Sequence, residues 1–323
     1  MVGLTVGVEE EYQLVDAETL ALRPGIRQVL PTATAAVGDQ VEPELHESQI
    51  EVGTMVCDTL DQVRAELALL RVRVAAAAET EGFRLVAAAS HPFARRVDQR
   101  VTAQPAYEAL AERYGRLADE QLVFGCHVHV AIDDPELAIR VMNRARPWLA
   151  PLLALSTSSP FWEGADTTYS SYRTEVFGRW PTTGTPSAFR SRADYDEMVS
   201  ELLATGSIDA PARLYWDVRP SARYPTLEFR VPDVCTSIDD AVLSPGWCGA
   251  SSPRAPTRRW PTSRSPLCAP SSCAARPGGR RATVSTPTSS TCTGCGPCPP
   301  PRWCVPSLRS YAPHSRPSGT GRW

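Results

Sequence analysis

Three consecutive carboxylates, Glu9, Glu10 and Glu11, interrupt an otherwise apolar stretch near the start of the chain. Further acids follow in ELHESQIEV (Glu44, Glu47, Glu51), two imidazoles alternate in FGCHVHVAI (His127, His129), and Glu228 alternates with Arg230 in TLEFRV. So many carboxylates with few imidazoles suit a hard, oxygen-preferring cation, Mg²⁺ or Mn²⁺. Zinc sites favour several His or Cys ligands, and residues 1–243 hold only four histidines. A guanidinium two residues beyond a metal-holding carboxylate could grip a phosphate in transfer. With no Walker loop and no GxGxxG motif, a nucleotide would be held by metal and arginine, without a glycine cradle.

Each of these stretches has the two-residue period of a strand, so its side chains can be sorted by face. Val6, Val8, Tyr12 and Leu14 share one face of the first strand, and Gly7, Glu9, Glu11 and Gln13 the other; Glu10 is the exception on the apolar side. Ile50 and Val52 oppose Glu47, Gln49 and Glu51. Phe124, Cys126, Val128 and Val130 oppose His127 and His129, and Leu227, Phe229 and Val231 oppose Thr226, Glu228 and Arg230. A polar strand face ordinarily just meets solvent. Four such faces in one sheet would instead set like charges side by side, which is destabilising unless a cation lies among them.

Between the strands, Leu60, Val63, Leu67, Leu70 and Val74 predict a helix capped by Asp58 and ending near Gly82. A short strand is expected over 84–90, a helix over 105–118, and another from Asp134-Pro135 to about Leu155. Residues 156–189, rich in Ser, Thr, Gly and Pro, read as a long functional loop. Cys57, Cys126 and Cys235 read as small buried hydrophobes. No run is long and apolar enough for a membrane span and no signal peptide opens the chain, so the expectation is a cytoplasmic protein.

The 323 residues divide unevenly in charge. Every acidic residue lies at or before Asp240, while the tail from Pro245 carries 11 of the 33 basic residues, 15 of the 30 prolines and 7 of the 10 cysteines. A basic nucleic-acid-binding arm, or a zinc or disulfide module on Cys292, Cys295 and Cys298, are two readings of it. A third is translation in the wrong frame. Ser244 to Gly249 back-translates as TCG CCG GGC TGG TGC GGG, and regrouping from the third base gives Ala-Gly-Leu-Val-Arg, a helix opening. The absence of lysine fits a GC-rich gene. The expected organisation is therefore a ligand-binding domain over 1–243 and a disordered tail over 244–323, too rich in proline to build a core.

The segments GVEEEYQLVD, ELHESQIEVGT, ASHPFA, FGCHVHVAI, SSYRTEVFGRWPTTGTPSAF and YPTLEFRVPDVCTS, in this order, resemble the glutamate–cysteine ligase family in its bacterial type 2 branch of carboxylate-amine ligases. That resemblance implies an α+β fold like glutamine synthetase and guanido kinases, an antiparallel sheet with helices on one face. It implies ATP and Mg²⁺ (or Mn²⁺) as cofactors, and joining of the glutamate γ-carboxylate to the amine of cysteine, or another amine, through a γ-glutamyl phosphate. Glu9, Glu11, Glu44, Glu51, His127 and Glu228 are then metal ligands. His127 and Arg230 also contact the nucleotide, and Arg230 meets the transferred phosphate. Arg173 and His129 bind substrate, Arg173 at the α-carboxylate. Partners would be small molecules, with neither nucleic acid nor membrane, and a homodimer stays open. Family members continue past VPDVCTS with roughly a hundred helical residues, so an inactive relic that binds only metal or nucleotide is an alternative. A metal-dependent amidohydrolase built on His127 and His129 is another, but it would need His46 and His91 as well.

Overall fold

The computed structural model describes residues 4–250, which fall in one compact unit. In chain order the elements are β1 (Val6–Asp16), α1 (Ile26–Val37), β2 (Val41–Pro43), β3 (Gln49–Gly53), α2 (Leu60–Thr80), β4 (Phe83–Val86), α3 (Pro105–Tyr114), α4 (Arg116–Asp119) and β5 (Cys126–Ala131). There follow α5 (Pro135–Ala145), α6 (Leu149–Ser156), the two-stranded β6 (Phe161–Trp162) and β7 (Ala165–Asp166), α7 (Tyr172–Phe177), α8 (Arg192–Ala204), β8 (Val218–Pro220), β9 (Thr226–Phe229) and α9 (Ile238–Ala250).

The main sheet is antiparallel, in the order β2-β3-β1-β5-β9-β8, with β4 also paired to β1. The longest strand, β1, lies in its interior. Helices α1, α2, α5 and α9 pack on the face bearing Val6, Val8, Val128, Leu227 and Phe229, all fully or nearly fully buried. This is the expected α+β architecture, and it arises because each strand supplies one apolar row for helices to cover.

Glu10 follows its parity onto that apolar face and is fully buried there. Both its oxygens accept from Arg71 of α2, at 2.7 and 3.0 Å, and the Tyr12 hydroxyl donates to it at 2.5 Å. Arg71 also donates to the carbonyls of Cys235 and Thr236 (2.7 and 2.9 Å), so one ion pair ties sheet, helix and the approach to α9 together.

Local signals moved several expected boundaries. Helix α2 is capped by Thr59, not Asp58: its hydroxyl accepts from the Gln62 amide in a reciprocal capping box, and the T-x-x-Q signature outcompetes the aspartate one residue earlier. Gly115, at φ +51°, splits the helix expected over 105–118. Pro147 lies in a short 3-10 turn that divides the helix expected over 134–155. The 84–90 strand ends at Val86, leaving Ser90 as an isolated bridge to Val123. The 156–189 loop contains α7 and the small β6–β7 hairpin. Helix α9 runs through Ser244 and Pro245 to Ala250, across the position where the tail was expected to begin, and Cys248 within it is buried. The proposed cysteine module and the rest of the tail lie outside the described residues.

Candidate functional site

The strand register assembles the polar residues into rows across the sheet face opposite the helices. In one row Glu42 of β2 stands opposite Glu51 of β3, and Glu51 opposite Glu11 of β1. In the next, Glu9 stands opposite His127 of β5. In a third, His129 stands opposite Glu228 of β9, and Glu228 opposite Arg219 of β8. Register brings residues of β1, β3, β5, β8 and β9 into one cleft of about 320 Å³, which Glu9, Glu11, Glu51, His127, His129, Arg219 and Glu228 line together with Glu44, Arg173 of α7 and Arg230.

Glu9 is the hinge of the cluster. Its carboxylate lies 3.2 Å from His127 Nδ1 and 3.3 Å from His129 Nε2. Two trios, Glu9–Glu51–His127 and Glu9–His129–Glu228, each bring their ligand atoms within 4.8 Å of one another. Burial alone would raise the Glu9 pKa, but the two imidazoles beside it outweigh burial and hold the carboxyl well below its ordinary range. Burial and the neighbouring Glu9 and Glu44 push Glu51 well up. Glu44 is pushed up to about 7 by burial and by Glu11, although the Tyr107 hydroxyl donates to it at 2.7 Å. His127 is pushed down by burial and by the Arg230 charge.

Carboxylates pushed up by burial and by one another mark a site short of positive charge, and a divalent cation would relieve it. His129 Nε2, buried without a well-formed hydrogen bond although a Glu9 oxygen is near, points the same way. The donor set is mostly oxygen with one imidazole per trio, which fits Mg²⁺ or Mn²⁺ better than zinc.

Beside the acids, Glu228 is gripped by two arginines. Arg219 meets it with Nε at 2.8 Å and Nη2 at 3.2 Å, and Arg230 Nη1 donates to the same carboxylate. Burial would raise the Glu228 pKa, yet Arg230 and Arg219 together hold it far below the usual range. Arg230 Nε is buried with no partner.

Arg173 reaches the cleft wall, but its guanidinium is engaged elsewhere. It donates to the carbonyls of Val231 and Arg230, both at 3.2 Å, and lies 3.7 Å from Asp233. Asp233, fully buried, also accepts from the Ser158 amide and the Ser159 and Ser171 hydroxyls (2.8 to 2.9 Å). The SSYR segment is thereby fastened to VPDV. Gly125 leaves room for this guanidinium, since a Cβ there would sit 2.4 Å from Arg173 Nη2 and displace it. These contacts tie the Arg173 guanidinium to the strand end that bears Arg230.

Arg219 and Tyr107 are among the cleft residues that escaped the sequence reading. Arg219 sits on a three-residue strand too short to display alternation, and Tyr107 lies on a helix of ordinary composition. His46 and His91 are absent from the cleft lining: His46 is packed against Gln49, and His91 bonds the Leu20 carbonyl. The histidines that an amidohydrolase would need are therefore not gathered here. No helix among the described residues is long and apolar enough to cross a membrane.

The chain resembles known proteins in sequence and in fold. The family model for glutamate–cysteine ligase family 2 matches residues 5–276, and the chain belongs to that family. Relatives bearing the glutamate–cysteine ligase 2 name are 43% identical in Roseiflexus castenholzii (238 residues, 74% of this chain and 63% of that protein) and 43% identical in Rhodopirellula baltica (243 residues, 74% and 65%). The chain thus spans less than two thirds of these relatives' length. Among solved structures, the Francisella tularensis glutamate–cysteine ligase in complex with AMP aligns with a TM-score of 0.57 at 14% identity, over 78% of this chain and 66% of that one. The bifunctional glutathione synthetase of Pasteurella multocida aligns at 0.54 and 17%, over 77% and 39%. At these identities the likeness is one of fold.

Proposed function

We propose that the cleft carries out ATP-dependent carboxylate–amine ligation, joining the γ-carboxylate of glutamate to the amine of cysteine or a related amine. The observation that carries this reading is the placement of Arg230 on Glu228, at the edge of two potential cation sites that share Glu9. Family membership supports the ligase class.

A free carboxylate is a poor acyl donor. Transfer of the ATP γ-phosphoryl group onto it makes an acyl phosphate, and the amine then displaces phosphate. Glu9, Glu11, Glu51, His127 and Glu228, with Glu44 at the rim, would hold Mg²⁺ or Mn²⁺. Bound there, the cation would supply neutralising charge on the phosphates. Arg230, fixed by Glu228, faces the same region and stabilises negative charge on the moving group. His127, neutral at physiological pH, can offer a nitrogen lone pair to the cation or donate to a phosphate oxygen. Arg219 keeps Glu228 ionised and aimed, and Arg173 holds the backbone on which Arg230 is mounted. The site works by positioning and electrostatics, with no covalent nucleophile.

The test is the product pattern. The full chain given glutamate, cysteine and Mg-ATP should release ADP and phosphate in proportion to peptide formed. AMP and pyrophosphate would indicate an adenylate and overturn the acyl-phosphate route. Cation binding with no nucleotide turnover would leave a binding protein in place of a ligase.

A further inference from the structure

Behind Arg230 lies a second cavity, of about 260 Å³, that none of the chemistry above uses. It shares Arg173, Phe177 and Arg230 with the cation cleft, so those three side chains form the partition between the two. Leu149 and Leu153 of α6, Phe177 and Val231 give it an apolar wall, and the one carboxylate in its lining is Asp217.

The register explains why Asp217 is there. Val218 pairs with Phe229, and the Arg230 amide donates to the Asp217 carbonyl at 2.8 Å, so Asp217 stands opposite Arg230 at the end of the sheet. By parity it belongs to the polar face, like Arg219. Its side chain nevertheless has a single hydrogen-bond partner, the Thr185 hydroxyl at 3.0 Å. Of the two arginines that share the cavity, Arg230 is on Glu228 through Nη1 while its Nε has no partner, and Arg173 is on Asp233 and two carbonyls. Asp217 is thus a half-buried carboxylate that feels the Arg173 charge but has no cation hydrogen-bonded to it, on a cavity with one apolar wall.

From this arrangement we infer that the second cavity is a binding site for an organic ammonium ion, its charge on Asp217 and its hydrocarbon part against Leu149, Leu153 and Phe177. The volume accommodates a primary amine of about four or five carbons, small on the scale of ligand pockets. The inference rests on the ligase reading only for its use: there, the cavity is the acceptor amine's berth, one partition away from the acyl phosphate. Such a berth favours amines with a short apolar side chain over strongly polar ones.

The probe is n-butylammonium chloride, titrated into the full chain by ligand-observed NMR against 1-butanol and potassium chloride at matched ionic strength. Butylammonium should bind saturably, and butanol much more weakly. Asp217→Asn keeps the shape and the Thr185 contact, and should weaken butylammonium about 10- to 100-fold, the cost of a charge-assisted hydrogen bond. Ala150→Phe, on the solvent-exposed side of the cavity mouth, should block it without touching Asp217. If Asp217→Asn fails to fold, Ala150→Phe decides. Equal binding of butanol, or butylammonium binding undiminished in the folded variants, overturns the inference, as does no binding to the unaltered chain. A parallel titration with Mg-ADP separates the two readings. Its failure strikes the ligase assignment alone, since butylammonium needs no cation to bind.

Discussion

Glu44→Gln offers the most quantitative check on the cation reading. In the cation-free protein Glu44 is pushed from 4.5 up to about 7, first by burial and then by Glu11. A carboxyl with a raised folded-state pKa binds its proton more tightly folded than unfolded. Its contribution to stability is therefore complete below the unfolded value and is lost as pH rises through the folded one. The window is from 4.5 to about 7. At 1.36 kcal/mol per unit the full loss is about 3 kcal/mol, and residual solvent access reduces it to about 2 kcal/mol. Urea titrations in EDTA at about pH 5 and about pH 8 should show a loss in the unaltered chain to which Glu51 also contributes, and Glu44→Gln should reduce it by about 2 kcal/mol. Adding Mg²⁺ at a hundredfold excess over its Kd should restore about 2.7 kcal/mol at the higher pH. Because binding expels the proton, apparent Mg²⁺ affinity should climb between about pH 6 and pH 8. An unchanged pH slope in Glu44→Gln, or a Mg²⁺ affinity flat across that range, would refute the argument.

Glu9→Gln should abolish Mn²⁺ binding at both trios, whereas Glu51→Gln should spare the one on His129 and Glu228; electron paramagnetic resonance titration counts the ions, and equal losses would separate Glu9 from its shared role. Glu10→Gln should leave Mn²⁺ binding in place but destabilise the fold by about 3 kcal/mol, because Arg71 is left with an uncompensated buried charge; an unchanged denaturation midpoint would contradict that. Arg173→Lys should lower the melting temperature and reduce ADP release by misplacing Arg230, with the glutamate KM little changed; a large rise in that KM confined to folded protein would restore the carboxylate-clamp role.

The polar sheet face could be read from sequence because alternation over four to eight residues survives without knowledge of neighbours. Glu9, Glu51, His127, Glu228 and Arg230 all lie on strands long enough to show it, or at the end of one. Which strands adjoin was not written locally: Glu9 meets His127 across 118 residues of chain. Arg219 was hidden by the brevity of its strand. Arg173 looked like a substrate residue because an arginine in a polar loop does, and only the carbonyls of Arg230 and Val231 reveal its other task. Glu10 was visible as an exception to the pattern, but its cause, Arg71, lies 61 residues away on a helix. The T-x-x-Q box at Thr59 and Pro147 were available in the sequence and were outweighed by stronger-looking neighbours.

The ion pair between Glu10 and Arg71 also bears on how the chain finds its fold. A strand slipped by one residue turns every side chain to the opposite face. In β1 such a slip would bring Glu9 and Glu11 among the helices with one arginine between them, and carry Glu10 into the cleft. At least one carboxylate would be entombed without a counterion, at a penalty of several kcal/mol. The triplet of glutamates therefore works as a proofreading device. It makes the nearest wrong pairing of the central strand costly before any ligand is present, so the cleft is spaced correctly by the folding of the sheet itself.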